Sequence, residues 1–188
     1  MLGKNMKPNA SKSWRAECDD EAFDHTAWEF KARQFFHSAK RMLELVEEEV
    51  EEPTMDFFML PFATEFLISL AIELISKAHY LKVEAGPRER IYTHTLHDLE
   101  IDGQLTPDQI RLLRHSERYV VWAGRYPTPK WTKESFKEDY DIPSVCENGI
   151  EKINGEDIPN TASIPRIKAK IELYSFIRAL WEGVGVAE

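Results

Sequence analysis

The sequence predicts an all-α fold, an up-and-down bundle of four to five helices with one long irregular excursion at about 126–163. Three observations carry this. Apolar residues recur at three-and-four spacing over most of the chain, proline and capping residues mark helix starts and stops, and the periodicity vanishes between 126 and 163. Otherwise short connections leave consecutive helices as antiparallel neighbours around one core. The 188 residues suit one domain, large enough to bury roughly two-thirds of the surface of the unfolded chain. We divide them into a loose leader at 1–18 and a single helical-bundle domain at 19–188.

The first helix should run from about Asp20 to Val50, where Trp28, Ala32, Phe35, Phe36, Ala39, Met42, Leu43 and Val46 form one apolar stripe. Its end, "EEEVEE" at 47–52, reads as a solvated terminus rather than a metal site, because like charges repel. Pro53 stops it. The second helix should begin near Pro61, a first-turn residue, and reach about Lys82 before "EAGPRER" breaks it. Phe66, Leu67, Ile68, Leu70, Ala71, Leu74, Ile75 and Ala78 spread over most of its circumference, so it is mostly buried. What remains is a polar strip of Glu65, Ser69, Glu73, Ser76 and Tyr80, with Lys77 at i+4 from Glu73. The plain expectation is a thin solvent-exposed stripe with one surface ion pair, since Glu is seldom buried without a partner; the sharper one is a carboxylate facing a cleft.

Residues 88–99, "RERIYTHTLHDL", bring two arginines and two histidines close together. Thr95 and Asp98 resemble a capping box, so a short helix starts there, and His97 and Asp98 are expected to fix the turn by hydrogen bonds to backbone. After a turn at Asp102-Gly103, Thr106-Pro107-Asp108 supplies a cap, a first-turn proline and an early acid for a third helix reaching about Gly124. Ile110, Leu113, Val120 and Val121 form its core face, while Arg111, Arg114, Arg118 and Arg125 fall within about 60° of one another. These arginines are either a solvated face compensated by Asp108 and Glu117 or an anion site, with Trp122 and Tyr126 available for stacking. Within the excursion, "SVCENGIEKI" predicts a small hairpin on a turn at Asn148-Gly149. A last helix starts at Ser163-Ile164-Pro165 and continues through Ile167, Ile171, Tyr174, Ile177, Leu180 and Trp181 to Gly183.

Composition narrows the function classes. A net charge of −9 argues against binding nucleic acid by bulk electrostatics and leaves room for a local basic patch. Cys18 and Cys146 stand far apart with no C-x-x-C spacing, so they read as reduced thiols, and neither a structural metal nor a cofactor is expected. The start lacks a secretory apolar segment. Within "FFMLPFATEFLISLAIELI" at 57–75, Glu65 and Glu73 would each cost about 2.5–3.5 kcal/mol near a bilayer centre, so a cytoplasmic protein without a membrane span is expected. No internal repeat, P-loop, Rossmann glycine pattern or H-E-x-x-H occurs.

The order of "AIELISKAHYLK", "HTLHDLE" and "VVWAGRYPTP" resembles the HEPN superfamily over about residues 20–125. That resemblance implies a helical bundle of the kind found in prokaryotic defence or toxin–antitoxin settings, acting as a homodimer and engaging a nucleotide, an RNA end, or an antitoxin or nucleotidyltransferase partner. On this reading the ligand-binding residues are Glu73, Lys77, His97, Asp98, Arg111, Arg114, Arg118, Trp122, Arg125 and Tyr126, with Glu73 and Arg125 meeting near Lys77 and the "HDL" turn. Catalytic members of that superfamily are metal-independent ribonucleases with an Arg and a His a few residues apart near the start of the last core helix. This chain departs from the pattern: no histidine follows Arg118 or Arg125, and Arg111 and His115 are spaced too closely. Arg88 with His94 and Arg90 with His97 match the spacing but lie after the second helix. The expectation is therefore a binding or interaction module, with a ribonuclease using Arg88 or Arg90 and His94 or His97 as the alternative.

Overall fold

The computed structural model describes residues 22–47, 55–99, 101–123, 150–153, 156–159 and 164–183. Helices α1 (His25–Glu47) and α2 (Met55–Lys82) are followed by three 3-10 turns, Arg88–Tyr92, Leu96–Leu99 and Asp102–Gln104. Helix α3 (Pro107–Arg118) runs directly into a π-helical turn (Tyr119–Ala123); strands β1 (Ile150–Ile153) and β2 (Glu156–Pro159) and helix α4 (Ile164–Glu182) complete the order. The fold is an all-α bundle in which α2 is central, packing against α1, α3 and α4. No helix among the described residues is long and apolar enough to cross a membrane.

Each helix start has a local cause. The Asp24 carboxylate accepts hydrogen bonds from the Thr26 amide at 2.8 Å and the Thr26 hydroxyl at 2.6 Å, capping α1. Thr106 and Gln109 cap α3 reciprocally: the Gln109 amide donates to the Thr106 hydroxyl at 3.3 Å, and the Thr106 amide donates to the Gln109 side-chain oxygen at 2.9 Å. Helix α4 stops at Gly183, whose φ of 77° lies in the left-handed region that glycine enters without steric cost.

Several boundaries differ from those the sequence predicts. Helix α2 starts at Met55 rather than near Pro61, which lies inside it. A proline there removes one N–H···O bond, and so close to the helix start the loss is confined to the second turn. The third helix keeps α-geometry only to Arg118 before the π-turn. Strands β1 and β2 pair antiparallel, Ile150 with Pro159 and Ile153 with Glu156; the turn expected at Asn148-Gly149 lies outside the described residues. The leader at 1–18 lies outside the described residues.

The largest correction concerns the polar strip of α2. Glu65, Ser69 and Ser76 are 0% exposed, Tyr80 1% and Glu73 2%, whereas Phe62 is 40% exposed. The strip is therefore the inward side of the helix, not a solvent-facing stripe. At Glu65 the cause is that α4 brings cations to it, and at Glu73 the cation is Lys77 of the same helix; a paired carboxylate is tolerable when buried.

Candidate functional site

Two polar clusters occupy this inward strip. The first centres on Glu65. Arg166 from α4 grips its carboxylate with two bonds, Nε to Oε1 at 2.5 Å and Nη2 to Oε2 at 2.8 Å. Lys170, one turn on, donates to Glu65 Oε1 at 2.9 Å and to the Ser69 hydroxyl at 2.8 Å. Its ammonium also lies 4.8 Å from the centre of the Tyr119 ring in the π-turn. The ring of His115, stacked on Tyr119, has Nδ1 3.8 Å from Glu65 Oε1, beyond hydrogen-bonding distance.

These surroundings set the protonation states. Burial pushes the Glu65 carboxyl upward, but Lys170 and Arg166 outweigh it and hold the group below the ordinary carboxylate range. Burial, reinforced by Lys170, Arg166 and Arg118, holds His115 well below the usual imidazole range, so the ring is neutral. Burial, aided by the Glu65 charge, raises the Tyr119 phenol above its ordinary value. Arg166 is the most exposed of Glu65, Ser69, His115, Tyr119, Arg166 and Lys170, at 6%. Such a closed cluster ties α2, α3 and α4 together and offers solvent no reactive group.

The second cluster lies two turns along the same strip. Glu73 Oε1 accepts from Lys77 Nζ at 2.5 Å and meets His94 Nδ1 at 3.0 Å. Glu73 and Lys77 are buried, and the Lys77 ammonium lies 5.3 Å from the Trp28 ring of α1. The His94 side chain is 41% exposed. Glu73 Oε2 is buried without a hydrogen-bond partner among the described residues. Here a buried carboxylate orients an imidazole that reaches solvent, an arrangement able to bind a ligand or move a proton.

The turn bearing His94 is anchored to α3, because the Leu96 amide donates to Glu117 Oε2 at 2.9 Å. On that helix the arginine line is divided: Arg111 pairs with Asp108, Arg114 is exposed, and Arg118 is half-buried. Arg88 and Arg90 are exposed in the turn preceding His94, with the Arg88 guanidinium 5.5 Å from the Phe23 ring. The backbone of His97 and Asp98 forms the 3-10 turn and that of Trp122 the π-turn, but their side chains lie outside the described residues. So do Arg125 and Tyr126, and with them the expected Glu73–Arg125 contact. Among the described residues, no group of three or more His, Cys, Asp or Glu is placed to hold a metal ion.

Arg166 and Lys170 were not singled out by sequence reasoning, and His115 was weighed only as a partner of Arg111 and set aside for its spacing. A signal for the first two was present, since at about 100° per residue both fall on the same face of α4 as Ile167, Leu173, Tyr174 and Ile177. Two cations on an apolar face require a buried anion, and Glu65 supplies it. Comparisons with family models, curated proteins and solved structures find no match to this chain.

Proposed function

We propose that the protein is a HEPN-like binding module that takes a phosphate-bearing ligand, a nucleotide or an RNA end, on the surface shared by the 88–99 segment and the arginine face of α3. The observation that carries this reading is the Leu96–Glu117 bond, which fixes the turn bearing His94 against the helix bearing Arg114. Exposed arginines on both elements give this acidic chain a local basic surface suited to bidentate phosphate contacts. Within the same proposal, the module works as a homodimer or with an antitoxin or nucleotidyltransferase partner in a prokaryotic defence setting. Titration with ATP and with a short single-stranded RNA across a salt series tests the ligand. Binding should weaken with salt, and Arg88→Ala with Arg114→Ala should lower the RNA slope by about 0.7 for each phosphate no longer neutralised. Absence of binding by the wild-type protein at low salt would overturn the proposal.

The Glu73–His94 contact at 3.0 Å favours a second reading, a metal-independent ribonuclease in which His94 handles the proton of a ribose hydroxyl and Arg88 or Arg90 bears on the phosphate. Cleavage should persist in EDTA and disappear in His94→Gln. Activity surviving that substitution, or no cleavage by the wild-type protein, removes this reading.

A further inference from the structure

We infer that His94 is a proton-linked phosphate contact whose protonation pattern is set by the buried pair Glu73–Lys77. The inference rests on the binding-module reading above. A carboxylate oxygen can only accept, so the 3.0 Å contact with Glu73 Oε1 requires the hydrogen on Nδ1. In a neutral ring Nε2 then carries a lone pair, which repels phosphate oxygens. Phosphate can be held there only when Nε2 also carries a hydrogen, that is, when the ring is a cation. Binding must therefore take up a proton wherever the free ring is neutral.

The balance of charge supports this. Glu73 and Lys77 form a buried ion pair with a separation of 2.5 Å, which sums to zero. Protonating His94 makes the group a single positive charge, and a phosphate anion brings it back to neutral. Among the described residues, the other groups around this turn include Trp28, a neutral ring against Lys77, Glu117, which is tied to the Leu96 amide, and Arg88, Glu89 and Arg90 in the preceding turn. Glu73 is a positioning residue here: it touches no ligand and acts through the imidazole.

Isothermal titration with a short 2′-O-methylated single-stranded oligoribonucleotide bearing hydroxyl ends tests this. The probe cannot be cleaved through a 2′-hydroxyl, and its phosphodiesters do not titrate near neutrality. Run at one pH in two buffers of different ionisation enthalpy, the wild-type protein should take up a fraction of a proton per site. Its affinity should fall as pH rises, whereas His94→Gln should show neither effect. Binding without proton uptake, or equal uptake in His94→Gln, overturns the inference and leaves the binding module standing; absence of binding overturns both. An independent readout needs no ligand: nitrogen-15 spectra of the free protein above the imidazole titration should show His94 protonated at Nδ1, and an Nε2–H ring overturns the assignment.

Discussion

Replacing Glu65 by Gln should be among the most damaging single changes available to this fold. The substitution keeps the shape and removes the charge that accepts three bonds, two from Arg166 and one from Lys170. Lys170 is 0% exposed and Arg166 6%, so neither cation can turn to water for compensation. Breaking a buried pair on one side costs about 3–5 kcal/mol, and about 1 kcal/mol shifts the melting temperature of a domain this size by about 2–4 °C. The expected loss is thus about 6–20 °C by calorimetry, with a matching fall in the urea midpoint at unchanged slope. The surface pair Arg41–Glu44, with side chains 69% and 54% exposed, is the internal control, and Glu44→Ala should change stability by at most about 1 kcal/mol. Replacing Glu65, Arg166 and Lys170 together with apolar side chains of similar volume should recover most of the loss, because no charge is then left buried without its partner. If Glu65→Gln melts within about 2 °C of wild type, the cluster is not the buried hub described above.

Other expectations rest on single contacts. Because the neutral ring of His115 is favoured by the fold, the unfolded chain binds its proton more readily. Its contribution is complete above the unfolded value of about 6.5 and is lost as pH falls below it, so His115→Gln should flatten the stability profile between about pH 7 and pH 5. A wild-type profile already flat there would refute this. At Gly86 an added Cβ would lie 2.6 Å from the Tyr80 hydroxyl oxygen, which donates to the Pro87 carbonyl at 3.0 Å. Gly86→Ala should therefore cost about 1–3 kcal/mol in urea denaturation, whereas Gly103→Ala, whose Cβ would meet nothing within 4 Å, should be neutral or stabilising by up to about 1 kcal/mol. Equal effects at the two glycines would refute the steric argument. The Tyr174 hydroxyl is buried without a hydrogen-bond partner among the described residues, and burial pushes its phenol up to about 12. Tyr174→Phe should leave the melting temperature unchanged or raised, and a loss above about 1 kcal/mol would reveal a partner.

The helices were legible because their signals are local. The apolar stripe of α1, the Thr106 cap and the Gly183 stop each act within a few residues, and the structure keeps them all. What escaped was set by distant residues. The direction of the polar strip of α2 depends on Arg166 and Lys170, about a hundred positions away in the chain, so Glu65 read alone suggested solvent. The π-turn after Arg118 has no composition of its own; it occurs where Tyr119 packs over Lys170. At the candidate site, the i+4 relation of Glu73 and Lys77 was visible, whereas the approach of His94 to Glu73 depends on how the 3-10 turns return along α2.

The two buried carboxylates of α2 differ in a way that bears on where a ligand should be sought. Glu65 is saturated: two cations satisfy both its oxygens, and the arrangement joins α4 to α2 in a way that packing alone explains. Glu73 bonds to a lysine of its own helix, leaves one oxygen without a partner among the described residues, and makes its remaining contact with a ring that is 41% exposed. As a stabilising device this is poor, since a buried unsatisfied oxygen costs about 1–3 kcal/mol and a half-exposed pair returns at most about 1. An apolar pair at 73 and 77 would serve the core better. The arrangement does one thing an apolar pair cannot, which is to orient an imidazole at the surface. Local violations of good packing tend to fall at functional sites, and by that criterion the turn at His94, not the more heavily charged hub at Glu65, is where a ligand should be sought.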